Sequence, residues 1–220
     1  MFSQLLAAVL GYLLGSIPAA FLLVRWKSRL DIRSAGSGNV GTFNSYLVTR
    51  SKFVGIMVLL IDTAKGVAAV LVANVIGGGD FWTVGAAAVA AVLGHNFSLW
   101  LRFKGGRGLA TAAGAMLVIS WFIVVLWELF WLAGYVLTKS INPGNVIASL
   151  LLMIVLLFIP GHLIQPFAPQ GADIMAFREF GVLILGCILV KHIGPMKEYL
   201  DEKRGKRDLK GKPGGRGDHT

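Results

Sequence analysis

Stretches of about 20 almost wholly apolar residues constrain this chain more than any other feature, because only a helix crossing a bilayer needs apolar side chains on every face over that length. They recur from near Met1 to beyond Leu189, separated by cationic or glycine-rich connections. Of 220 residues, 55% are hydrophobic and 15% charged, with a mean hydropathy of +0.71. A soluble domain is about 25% charged, so the composition points to an all-α membrane protein whose single helical bundle uses every apolar stretch. The net charge of +10 comes from Lys and Arg between these stretches and in the tail. Bilayer proteins distribute their orienting charges in this way, so the expected partners are membrane lipid and an anionic substrate, with no nucleic acid. Cys187 is the single cysteine and lies in an apolar run, which rules out a disulfide framework.

Charge asymmetry sets the topology. Residues 3 to 24 form the first span, with no cationic segment before them and Arg25, Lys27, Arg29 and Arg33 after them, which puts the N-terminus outside. Gly11 and Gly15 give this span a small-residue face for close helix contact. Residues 53 to 76 return, Gly77 to Asp80 turn outside, and residues 81 to 101 run inward. The stretch from Leu109 to Thr138 decides the parity: as one straight helix it would be about 45 Å long against a hydrocarbon core of about 30 Å. One crossing would leave the basic C-terminal tail outside, whereas two short spans turning near Ser120-Trp121 leave it in the cytoplasm. A loop from Lys139 to Asn145, a span over 146 to 163, an external loop over 165 to 178 and a span over 179 to 194 complete the chain. The expectation is a bundle of seven transmembrane helices, some short, with the N-terminus outside and the C-terminus cytoplasmic. The membrane domain covers 1–196; residues 197–220 form a charged tail, amphipathic at its start and disordered beyond, that touches anionic lipid.

On the inner side this topology gathers four connections: 35 to 46, 94 to 111, 139 to 145 and 191 to 192. In the second, Gly105, Gly106 and Gly108 offer backbone donors beside the full charges of Lys104 and Arg107, as a bound phosphate requires. A cationic turn that only fixes orientation has the same composition, so this loop alone leaves both readings open. Its spacing is not that of a nucleotide P-loop, and no βαβ pattern surrounds it. The first connection alternates glycines with Ser37, Asn39 and Asn44, which suits a phosphate or polyol cradle and equally an ordinary loop. Asp62 and Lys65, three apart on one helical face, should face the bundle interior as an ion pair or as a catalytic acid or base. Glu128 is expected to act as polar glue between helices, and His162 to lie at the interface without chemistry. Taken together, the four connections predict a cytoplasm-facing, anion-binding cleft.

The motifs are specific enough to carry a resemblance. Gly36-Ser37-Gly38-Asn39-x-Gly41-x-x-Asn44, Asp62-x-x-Lys65-Gly66, and Gly94-His95-x-Phe97 leading to Phe103-Lys104-Gly105-Gly106-x-Gly108-x-Ala110-Thr111 resemble the bacterial acyl-phosphate:glycerol-3-phosphate acyltransferases, the PlsY family. Gly15-Ser16-Ile17-Pro18 also fits. The resemblance implies a seven-helix inner-membrane enzyme that moves a fatty acyl group from acyl phosphate to the sn-1 hydroxyl of glycerol 3-phosphate. The product would be lysophosphatidic acid, made without acyl-CoA, cofactor or metal. Carried over by position, Ser37, His95, Lys104 and His192 would be catalytic, and Gly38, Asn39, Gly41, Asn44, Gly105, Gly106, Arg107, Gly108 and Asn142 would bind substrate or phosphate. Lys104 and Arg107 would hold phosphate, while Ser37 and the glycine amides would meet phosphate or the developing carbonyl charge. A mixed anhydride is already activated, so positioning and charge stabilisation suffice without an acyl-enzyme. In keeping with that, no His of the chain has an Asp five positions later.

The sequence also departs from the family pattern. Phe43 and Leu47 stand where the family usually has Thr and Arg, with Arg50 one turn further on; Arg107 replaces a lysine, Asn142 a serine, and Pro195 an asparagine. Two functional classes therefore stand at this stage: the acyltransferase, and a non-catalytic or respecialised relative that binds phosphorylated polyols or lipid precursors. A transporter fits less well, because the polar groups gather at one face and not at the midplane.

Overall fold

The computed structural model describes residues 1–211, and among these every regular element is helical. The expected first span is divided into α1 (Phe2–Ser16) and α2 (Ala19–Ser28). Pro18 causes the break, since it lacks an amide hydrogen and its ring clashes with the preceding turn. After a 3-10 turn at Ile32–Ser34 come α3 (Thr42–Thr49), α4 (Lys52–Gly77) and α5 (Phe81–Asn96). Gly78, at φ 56°, ends α4 in the left-handed conformation that favours glycine, and the Asp80 carboxylate then accepts from the Trp82 and Thr83 amides to start α5. A second 3-10 turn, Leu99–Leu101, leads through the cationic loop to α6 (Leu109–Ile119) and α7 (Trp121–Thr138). The chain closes with α8 (Ile141–Phe158), α9 (Gly161–Ile164), a 3-10 turn at Gln165–Phe167, α10 (Ile174–Val190) and α11 (Ile193–Gly211).

The turn at Ser120 is present as expected. Ser120 is the single residue between α6 and α7, and its hydroxyl donates to the Phe167 carbonyl at 2.6 Å. Arg107, just before α6, donates to Asn142 Oδ1, just after α7, also at 2.6 Å. The chain between them therefore runs out and comes back to the same place. Among the described residues, Phe2–Ser28, Lys52–Gly77, Phe81–Leu101, Trp121–Thr138 and Ile141–Phe158 are long and apolar enough to cross a membrane, and α6 is shorter.

Small residues set the helix spacing. Alpha1 lies along α5 and α4 lies against α6. A Cβ on Gly15 would overlap the Ala91 carbonyl, and one on Gly66 would overlap that of Thr111, so these backbones meet directly. The main core, which includes Val92, Ala115, Leu152, Leu156 and Ile184, lies where α5, α6, α8 and α10 meet. A smaller core of Val24, Ile32, Val54, Val58 and Leu101 supports the first loop. Val75, Leu137 and Phe158 are more than three-quarters exposed, as lipid-facing side chains are.

Three boundaries differ from the sequence reading. The expected third loop is largely helix: α8 begins at Ile141, so Asn142 to Asn145 form its first turn, where a proline is tolerated because its missing amide has no partner to lose. Helix α8 accordingly occupies Ile141–Phe158 where a span over 146 to 163 was expected. Helix α10, where a span over 179 to 194 was expected, starts earlier, at Ile174, because the Asp173 carboxylate accepts from the Met175 amide at 3.0 Å, which brings Arg178 and Glu179 into the helix. The expected amphipathic continuation is α11, which crosses the expected boundary at 196 without a break. The remainder of the expected tail lies outside the described residues.

Candidate active site

The first loop is shaped by Asn44. From α3 its buried amide donates to the carbonyls of Ala35 and Asn39, each at 3.0 Å, and accepts from the Ser37 amide at 3.0 Å. The loop wraps this side chain, with Gly36 at φ 59° and Gly38 at φ 69° supplying the left-handed turns. Asn44 is therefore spent on the loop, while exposed Ser37, half-buried Asn39 and buried Gly41 line the neighbouring cavity. Arg33 pairs with Asp31 at 2.6 Å below the loop, and its guanidinium holds that carboxyl down at about 2.

The second loop is tied to the end of α5. The Gly105 amide donates to the Asn96 carbonyl at 3.2 Å and the Gly106 amide to that of His95 at 3.0 Å. A helix leaves its last carbonyls unpaired, and these two glycines satisfy them, so their amides are not free for a phosphate. The Gly38 amide is likewise committed, to Ala35. The free donors lie further on, where Gly108 at φ 81° opens α6 and turns its first amides, with their partial positive charge, toward a cavity. Arg107 stands beside them, half-buried; burial pushes its guanidinium below the ordinary value while Glu198 opposes this.

The cavity measures about 1000 Å³. Its polar end is lined by Ser37, Asn39, Gly41, Asp62, His95, Arg107, Gly108, Lys139, Asn142 and Asn145. From there it continues as an apolar arm past Met116, Ile123, Trp127, Leu152, Leu156, Ile184 and Ile188. A charged group at one end and a hydrocarbon chain at the other would each find a matching wall.

His192 does not reach this space. It is 1% exposed, with Nδ1 at 2.8 Å from the Ile188 carbonyl and Nε2 at 3.1 Å from Asn145 Nδ2. The Ile188 carbonyl can only accept, so Nδ1 donates and Nε2 accepts from Asn145. His192 thus orients the asparagine that does line the cavity. Burial holds its imidazole below the usual histidine range, and the charge of Arg107 acts in the same direction. Lys104 is exposed and outside the cavity lining, as is Arg50, while Phe43 and Leu47 both line it. Glu128 lines the cavity wall and is exposed there, and His162 is exposed on α9. Sequence reasoning placed the 139 to 145 connection at the cleft and named Gly108, but it did not single out Lys139 or Asn145, nor the amides that follow Gly108 at the start of α6. The glycine before an apolar run was the available signal for the last of these.

Residues 5–202 match the glycerol-3-phosphate acyltransferase family. The chain belongs to that family. A glycerol-3-phosphate acyltransferase of Mesorhizobium japonicum is 35% identical over 212 residues, covering 96% of this chain and 99% of its own length. One from a Synechococcus strain is 41% identical over 149 residues, or 68% of this chain and 73% of its own. Crystal structures of PlsY (YgiH), an integral membrane glycerol 3-phosphate acyltransferase, superpose with TM-scores of 0.75 for the glycerol 3-phosphate form and 0.74 for the lysophosphatidic acid form. Each is 26% identical and covers 91% of this chain and 93% of that one.

Proposed function

We propose that this membrane glycerol-3-phosphate acyltransferase takes its acyl group from acyl phosphate and delivers it to the sn-1 hydroxyl of glycerol 3-phosphate in a bacterial inner membrane. The hydroxyl oxygen bonds to the acyl carbon as the carbon–oxygen bond to phosphate breaks. The hydroxyl proton ends on the departing phosphate, and the products are lysophosphatidic acid and inorganic phosphate. The observation that carries this reading is the two-ended cavity, cationic at the α6 N-terminus and apolar along α6, α7, α8 and α10. Arg107, with Asn142 holding it, and Gly108 bind phosphate; Ser37, Asn39 and Gly41 face it from the first loop. Asn44, Gly38, Gly105 and Gly106 shape the two loops, and His192 acts through Asn145. Lys104, exposed on the second loop, adds charge that draws anions in. His95 meets the reacting end. No step requires a metal or cofactor.

The topology that supports these roles has seven crossings, the N-terminus outside and both loops in the cytoplasm. Residues 1–196 form the catalytic domain and 197–220 a tail on the anionic lipid surface. Purified protein in lipid nanodiscs, given acyl phosphate and glycerol 3-phosphate, is expected to release phosphate and lysophosphatidic acid in equal amounts. Well-folded protein that binds glycerol 3-phosphate without turnover would instead mark a non-catalytic relative.

A further inference from the structure

Lys65, on α4, is 5% exposed and makes three polar contacts: Asp62 Oδ1 at 2.7 Å, the Ile17 carbonyl at 2.8 Å and His95 Nδ1 at 3.3 Å. An ammonium has three hydrogens and no lone pair, so these contacts use all it has, and each partner must accept. Asp62 and a carbonyl accept by nature. His95 Nδ1 can accept only if it carries no proton, and the ring's N–H must then be on Nε2. Asp62 Oδ1 lies 3.7 Å from the same Nδ1, too far to take a hydrogen bond from it. Nε2 has no hydrogen-bond partner among the described residues, and His95 lines the polar end of the cavity. A Cβ at Gly106 would collide with Nε2, so this edge of the ring lies against the glycine backbone and a larger residue there would displace it.

We propose that Lys65 is a positioning residue that fixes the tautomer of His95, so that the ring presents an Nε2–H donor, and not a base, to a substrate oxygen in the cavity. The acceptor is an oxygen of the carbonyl or phosphate as negative charge gathers on it, and His95 neither gives nor takes a proton. The Pro18 break has a part in this: at the interruption between α1 and α2 the Ile17 carbonyl accepts from the Ala19 amide at 3.0 Å and, on its other lone pair, from the Lys65 ammonium. The catalytic role of His95 rests on the function proposed above; the tautomer does not.

The test uses the full chain in nanodiscs, labelled with nitrogen-15 at histidine and assigned by the signals lost in His95→Gln. The expected spectrum has a bare, hydrogen-bonded Nδ1 and a protonated Nε2, and in Lys65→Met the proton moves to Nδ1. A wild-type Nδ1–H overturns the proposal whatever the turnover, and this readout survives if Lys65→Met fails to fold. In the lysophosphatidic acid assay, His95→Gln keeps an N–H near the Nε2 position and should stay within about tenfold of wild type, whereas His95→Phe should lose about 10²- to 10³-fold. If Gln is as inactive as Phe, the donor role falls. If the wild type itself makes no lysophosphatidic acid, the proposed function fails while the tautomer is still decided by the spectrum.

Discussion

Arg107 stands where the resemblance leads one to expect a lysine, and its contact with Asn142 depends on having a guanidinium. A guanidinium can give one N–H to Asn142 and still direct others at a phosphate, whereas an ammonium offers no such fork. Arg107→Ala is expected to lower kcat/KM for glycerol 3-phosphate by about 10²- to 10³-fold, and Asn142→Ala by about tenfold through loss of one hydrogen bond. Steady-state phosphate release in nanodiscs measures both. His192 makes a separate prediction. Its folded value lies below that of the unfolded chain, so above about pH 6.5 the ring is neutral in both states and pH has no leverage on stability. As pH falls through that value the unfolded chain takes up the proton first, and stability declines toward the lower folded value. Thermal unfolding in detergent between about pH 7.5 and about pH 5, on either side of the free histidine value of about 6.5, should show this loss in the wild type and a smaller one in His192→Gln.

At the level of helices, close approach matters more than amphipathic patterning. Alpha4 and α6 touch through Gly66 and Gly114, whose added Cβ atoms would overlap Thr111 and Thr63 respectively. Gly66→Leu must therefore push α6 away from α4, with a cost of about 1–3 kcal/mol or more from overpacking. A lower melting temperature together with lost turnover is the expected result, since the start of α6 lines the cavity. Unchanged melting would mean that the helices do not meet here. The break at Pro18 and the early start of α8 are also element-scale facts: proline chemistry interrupts the first apolar run, whereas Pro143 is tolerated within the first turn of α8 and does not delay it.

For the whole molecule, the apolar arm of the cavity ties substrate choice to the packing of four helices. Ile184 on α10 lines that arm. Ile184→Trp should shorten the usable arm, and acyl donors long enough to reach it should lose about fourfold in kcat/KM for each methylene excluded, from about 0.8 kcal/mol per buried methylene. A series of acyl phosphates of increasing length measures this, and uniform loss across the series would show that the arm does not hold the chain.

Bilayer thickness and charge asymmetry are properties of the chain read along its length, so the helical class, the turn at Ser120 and the glycine-rich loops were legible from the residues alone. The same holds for His95 and Arg107, which the motifs identified and the fold brings to one cavity. Which amides remain free was not legible. Gly105 and Gly106 look like an anion cradle in sequence, yet they close the end of α5, and the donors that face the cavity belong to the start of α6. Nor could spacing reveal that Lys65 reaches both Ile17 and His95, or that His192 stands behind Asn145. Hydrogen-bond partners are assigned by competition among groups distant in the chain, and only the packed arrangement of helices decides which donor meets which acceptor.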